Sequence, residues 1–190
     1  MAHQFFTIGH STRSIDEFVA LLTPQKIGLV VDVRTVPRSR TNPQYNSIEL
    51  TEALSGFQIS YRHIPSLGGL RGRRRDLPED MNAFWKNQSF HNYADYATSE
   101  EFRSGLEMLR KLGHETTCAI MCAEIVWWRC HRRIISDYLI ASGETVFHIL
   151  GPNSVDRAHL NEGARVGPNA TVSYPPHRDN DVSKNLVAKR

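Results

Sequence analysis

Apolar and polar positions alternate in blocks along residues 5–150. Phe5-Phe6-Thr7-Ile8 is a short β-prone run closed by Gly9. Ser14, with Glu17 three residues on, has the capping-box pattern, and Phe18, Leu21 and Leu22 then fall on one helical face. After Pro24 and Gly28, Leu29-Val30-Val31-Asp32-Val33 reads as a strand buried on both sides. A polar loop with Pro37 and Pro43 leads to a short helix around Ser47–Leu54, and Ile59 to Ile64 alternates as a strand before Pro65, Gly68 and Gly69 open a long loop. Ser99, Glu100 and Glu101 start a helix with Phe102, Leu106 and Leu109 on its face and Gly113 past its end. Thr117–Cys122 is a fourth strand, Arg132–Ala141 a helix with Gly143 as its C-cap, and Thr145–Leu150 a fifth strand.

Strands separated by single helices predict right-handed βαβ units. The expected fold is α/β: one three-layer domain over residues 1–160, with a mostly parallel sheet of five strands or slightly more and helices on both faces. Residues 70–95, where Phe84, Trp85, Phe90 and Tyr93 sit among polar neighbours with Tyr96 just after, are expected to form helical turns over one end of the sheet. Residues 161–190 read as a polar C-terminal extension, frayed from Asp179 to Arg190.

A chain of 190 residues, 40% hydrophobic and 23% charged, is large enough to fold without disulfides or structural metal. No apolar run approaches the length of a membrane-spanning helix. Met1–Phe6 lacks the layout of a signal peptide, and three clustered cysteines do not make a secreted disulfide scaffold, so a cytoplasmic location is expected. The net charge of +3 permits an anionic partner without requiring one.

In a parallel sheet, ligands collect beyond the carboxyl ends of the strands. The residues that follow each strand here are rich in chemistry: His10 and Ser11; Asp32, Arg34 and Arg38; His63, Gly68 and Gly69; Cys122 and Glu124, with Cys130, His131 and Arg132 at the next helix start. Cys130, near a helix N-terminus, is placed to hold a thiolate. Glu124 on the strand-to-helix loop suits acid/base work, with Asp32 or His10 as its partner. Arg34, Arg38 and Arg132 suit a phosphate or carboxylate grip.

Each has a plainer reading. Cys118 points into the sheet as a small apolar residue, His148 is a satisfied strand histidine, and Glu124 is a helix cap. Asp32 with Arg34 is a buried ion pair. Cys122 and Cys130 could pair as a disulfide, or bind zinc with a histidine, although the spacing fits no standard finger. The Arg71, Arg73, Arg74 and Arg75 run suits a phosphate backbone, or is a solvated loop balanced by Asp76, Glu79 and Asp80. Trp127 and Trp128 either stack on a ring of the ligand or pack against the aromatic 84–96 stretch.

Gly9-His10-Ser11, Asp32-Val33-Arg34 with Pro37 and Ser39, Leu67-Gly68-Gly69, and Cys122-Ala123-Glu124 with Cys130-His131-Arg132 together resemble the prokaryotic domain of unknown function 488, in order from Thr7 to Ile149. Val146–Ile149 resembles its last strand, and His159 with Tyr174-Pro175 resembles its longer members. The resemblance implies a single small cytosolic α/β domain and no established activity. Ile125-Val126-Trp127-Trp128-Arg129 departs from the polar, proline-containing turn usual there.

The leading expectation is an enzyme acting on an anionic substrate, a nucleotide or nucleic acid, by hydrolysis or base excision. Glu124, Asp32 and His10 would serve as acid/base groups and Cys122 or Cys130 as a thiolate; Ser11, Arg34, Arg38, His63, Gly68, Gly69, His131 and Arg132 would hold the substrate. No P-loop or dinucleotide fingerprint is present, and no cofactor is expected. The alternatives are a non-catalytic nucleic-acid-binding module on Arg71–Arg75 and Trp127/Trp128, or thiol redox or metal handling by Cys122 and Cys130.

Overall fold

The computed structural model describes residues 3–176, so Asp179–Arg190 lies outside the described residues. Six strands form one sheet in the order β3-β2-β4-β1-β5-β6: β1 Gln4–Gly9, β2 Leu29–Asp32, β3 Ser60–His63, β4 Cys118–Cys122, β5 Thr145–Gly151 and β6 Ser154–Arg157. The first five are mutually parallel, and β6 joins the edge of β5 antiparallel. The sixth strand is polar and short, so periodicity does not reveal it; it follows a tight turn directly out of β5.

Helices lie on both faces. On one, Phe18, Val19, Leu21 and Leu22 of α1 (Ile15–Leu22) and Leu50 and Leu54 of α2 (Ser47–Ser55) cover Phe6, Ile8, Val30, Ala119 and Met121. On the other, α3 (Gln88–Tyr96), α4 (Glu100–Glu115) and α5 (Arg132–Ala141) cover Phe5, Leu29, Val31, Cys118 and Ile120. Successive strand residues point to opposite faces, so an apolar run such as Leu29–Val31 feeds both cores.

The helix starts follow local chemistry. Ser14 and Glu17 complete a capping box at α1, and the Ser99 hydroxyl accepts the Phe102 N–H at α4. Gly113 does not end α4 as expected. It packs against the ring of Phe5 inside the helix, which runs on to Glu115. At α5 the C-cap is Ser142, with Gly143 following at φ 86°. The aromatic stretch around Phe84–Tyr96 forms α3 and the turns before it. Beyond residue 160, Ala164, Val172 and Tyr174 enter the same core as Tyr138, with the Tyr174 hydroxyl donating to Asp137 over 2.8 Å.

This topology sets the site. From β1 the chain leaves by α1 toward one face; from the adjacent β4 it leaves by α5 toward the other. The carboxyl ends of β1 and β4 are therefore a topological switch point, where a crevice opens between diverging connections.

Candidate functional site

The two strand ends are closely joined. His10 and Ser11 donate their N–H groups to Cys122 and Ala123 carbonyls, extending the ladder past the sheet. Gly9 permits this: a Cβ there would lie 1.9 Å from the Glu124 carbonyl oxygen. Beside this seam is a cavity of about 470 Å³, whose wall includes His10, Arg34, Arg38, Cys122, Glu124 and Cys130. Residues from β1, β2, β4 and the start of α5 thus meet at one place, together with Gly69 and His131.

Cys130 lies beside the N-terminal end of α5. Its sulfur is 3.3 Å from Nε of Arg132 and 3.5 Å from Nδ1 of His131. Burial raises its thiol, but a hydrogen bond from the Cys122 S–H, then the charges and hydrogen bond of His131 and the Arg132 guanidinium, overcome burial and hold Cys130 well below its ordinary value. The hydrogen bond to Cys130 and burial push the Cys122 thiol well above its own. Of the two, Cys130 is therefore the thiol that ionises first.

His131 donates from Nε2 to the Val33 carbonyl over 2.9 Å, which leaves Nδ1 toward the sulfur. Gly69 permits that ring position, since a Cβ there would come within 2.4 Å of Nδ1. The ligand atoms of Cys122, Cys130 and His131 lie within 4.8 Å of one another, so these are the groups that could hold a thiophilic metal. Against a metal stands Arg132, whose guanidinium puts a fixed positive charge beside the Cys130 sulfur.

Asp32 and Arg34 form a buried unit. The carboxylate accepts from Nε of Arg34 at 2.9 and 3.1 Å, from Nη2 at 2.6 Å, and from the Tyr61 hydroxyl at 2.7 Å. Asp32 is fully buried and does not line the cavity; it positions Arg34, which does. Arg34 donates to the Tyr45 carbonyl at 2.7 Å and lies 3.3 Å from Nε2 of His10. His10 Nδ1 bonds the Ser11 carbonyl at 2.8 Å, and its ring stacks on Tyr45. Burial lowers its pKa to about 4, so it is a neutral Nδ1–H tautomer with the Nε2 lone pair facing Arg34.

The remaining predicted residues divide into lining and supporting groups. Arg38 and Glu124 are exposed at the mouth. Arg132 is buried and does not line the cavity: Nε faces Cys130 and Nη2 the Glu124 carbonyl, so it steadies the thiolate and the loop rather than gripping a ligand. Ser11 and His63 support from behind, His63 donating to the Arg34 carbonyl at 2.8 Å, and Gly68 packs against Thr35. Periodicity did not single out Arg129, Phe90 or Leu70, which also line the cavity. The one available signal was Arg129's place next to Cys130.

The plainer readings hold for several residues. Cys118 is buried within the sheet, its thiol pushed up to about 12 by burial. His148 is buried, bonded to Thr7 Oγ1 at 2.7 Å. Trp127 stacks on His148 with centroids 4.1 Å apart rather than on the 84–96 aromatics, and Arg133 lies between Trp127 and Trp85. In the basic run, Arg73 pairs with Glu79 and Arg74 with Asp76, while Arg71 covers Tyr96 and donates to the Gly68 and Pro65 carbonyls. All three cysteines are free thiols. Among the described residues, no helix is long and apolar enough to cross a membrane.

The family model described as domain of unknown function DUF488 matches residues 14–139. The chain belongs to the DUF488 family. No curated protein and no solved structure matches it. The DUF488 match takes in Asp32, Arg34, Cys122, Glu124, Cys130 and His131, while His10 and Ser11 precede it. Its two halves are thus brought to one cavity by the β1–β4 seam that lies partly outside the match.

Proposed function

We propose that this protein is a cysteine-dependent hydrolase of a small phosphate-bearing substrate of the nucleotide class. One observation carries the reading: the Cys130 sulfur lies in a cavity wall with Arg132 and His131 against it, while Arg38 and Arg129 stand at the same cavity with no ion pair among the described residues. Two unpaired guanidiniums suit a phosphate. Phe90, Leu70 and Val36 on the wall suit the flat, less polar part of such a molecule.

In this reading the Cys130 thiolate attacks phosphorus. The S–P bond forms as the bond to the leaving oxygen breaks, and that oxygen takes a proton from Glu124. Glu124 then accepts a proton from water, which displaces the thiolate and releases phosphate. Asp32 does not reach the substrate; it holds Arg34. His10, neutral, supplies shape and a hydrogen bond rather than a charge. A reducing, cytosolic setting would keep both thiols available.

The test is hydrolysis of a panel of nucleoside phosphates by the wild-type chain, Cys130→Ser and Glu124→Gln. The expected result is activity abolished in Cys130→Ser and reduced about a hundredfold or more in Glu124→Gln, with both variants folded. Full turnover by Cys130→Ser would overturn the thiol mechanism. Stoichiometric zinc in the purified protein would replace it with a metal-centred one.

A further inference from the structure

Cys122 has no part in the hydrolysis just described, yet its side chain lines the same cavity and its sulfur lies within 4.8 Å of the Cys130 sulfur. A nucleophilic thiolate does not need a second thiol at its side. A thiolate that is to be oxidised and then released does.

We infer that Cys130 and Cys122 together reduce a hydroperoxide, with Cys130 as the attacking and Cys122 as the resolving sulfur. The inference rests on the Cys130 thiolate of the preceding reading but not on its phosphate substrate. In the first step the thiolate attacks the terminal oxygen of R–O–O–H. The S–O bond forms, the O–O bond breaks, and the alkoxide leaves and takes a proton from solvent. Cys130 is then a sulfenic acid, oxidised by two electrons, and the hydroperoxide has become an alcohol. In the second step the Cys122 sulfur attacks the Cys130 sulfur. The S–S bond forms and the S–O bond breaks, and the departing hydroxide takes the Cys122 proton as water.

The surroundings favour both steps. Arg132 Nε–H, 3.3 Å from the Cys130 sulfur, favours its anion in a wall that a small peroxide reaches through the cavity. Interaction with the neighbouring Cys130 anion, ahead of burial, holds the Cys122 thiol well above its ordinary value. Oxidation of Cys130 removes that anion, so the resolving thiol loses its proton more readily just when it is needed. Position also assigns the roles. Arg132 and His131 both contact Cys130, whereas Cys122 ends β4 with its sulfur within 4.8 Å of the Cys130 sulfur. Cys118, four residues before Cys122 and enclosed in the sheet, is an internal control.

The experiment treats the intact wild-type chain with one equivalent of hydrogen peroxide and follows it by thiol titration and peptide mass mapping. Two of the three thiols should be lost as a Cys122–Cys130 disulfide, with Cys118 still reduced. The loss should be about tenfold or more faster than that of free cysteine at the same pH. In Cys122→Ala the reaction should stop at a sulfenic acid on Cys130 that dimedone traps. Oxidation of Cys130 to the sulfinic acid with Cys122 untouched, or consumption no faster than free cysteine, would overturn the inference. An alkylation–pH profile of Cys130 on the same sample separates the failures. A thiolate present at neutral pH with no disulfide formed defeats the peroxide step alone, whereas no thiolate defeats the hydrolytic reading as well.

Discussion

Arg132 Nε–H faces the Cys130 sulfur at 3.3 Å, and both side chains are almost wholly withdrawn from solvent. An ionic hydrogen bond in such surroundings is poorly screened, so the guanidinium acts strongly on the thiol. Thiolate absorbance near 240 nm and iodoacetamide reactivity should therefore persist below neutral pH in the wild type and vanish in Cys130→Ser. In Arg132→Gln the midpoint of both should rise by about one to three pH units. An unchanged midpoint would assign the low value to His131 and Cys122 alone.

Arg38 and Arg129 are exposed at the cavity mouth and hold no acidic partner among the described residues. Replacing either by Ala should leave the denaturation midpoint nearly unchanged, because little packing is lost. Protection of Cys130 from alkylation by inorganic phosphate should weaken about tenfold for each, the worth of one hydrogen bond to a charged group. Equal protection in wild type and double variant would place the anion elsewhere.

Gly9 brings β1 against the Glu124 backbone, with no space for a methyl group. Gly9→Ala must separate the seam, and a loss of about 3 kcal/mol or more in urea unfolding is expected. Because the displaced segment carries Glu124, the folded fraction should also show slower turnover in the hydrolysis assay. Gly56→Ala, whose Cβ meets its nearest neighbour at 3.5 Å, is the control and should be nearly neutral.

Acid should destabilise the protein through two buried histidines. Burial lowers His10 to about 4 and His148 to about 3, from 6.5, the latter packed between Thr7 and Trp127 with Arg132 also opposing its charge. Below pH 6.5 the unfolded chain takes up these protons and the folded chain does not, so stability present above 6.5 is lost as the pH falls toward 4. Asp137 acts in the opposite sense. Burial raises it to about 6 from 3.8, so between those values the folded state binds the extra proton and gains stability on acidification. Two protons against one leaves a net loss. The thermal midpoint should fall between pH 6.5 and 4, less steeply in His148→Gln and more steeply in Asp137→Asn. A flat wild-type profile would mean that the histidines titrate in the folded state.

Local pattern was enough for the alternating elements. Capping at Ser14 and Ser99, the apolar faces of α1 and α4, and the β-branched run at Val30–Val31 all depend on near neighbours, and each was legible in order. So was the gathering of ionisable groups at the strands' carboxyl ends, because a parallel sheet sends every such end to the same edge. What pattern could not supply was the direction in which each side chain faces once β1 lies between β4 and β5. Asp32, Arg34 and Arg132 look alike as charged residues near strand ends. Packing puts Asp32 under Tyr61, Arg34 in the wall, and Arg132 behind the Cys130 sulfur, while Arg38 and Arg129 stand at the mouth with no ion pair among the described residues. The β6 edge and the burial of Tyr174 were hidden for the same reason: short polar segments carry little periodicity, and their places depend on partners more than thirty residues away in the case of Tyr174 and Asp137.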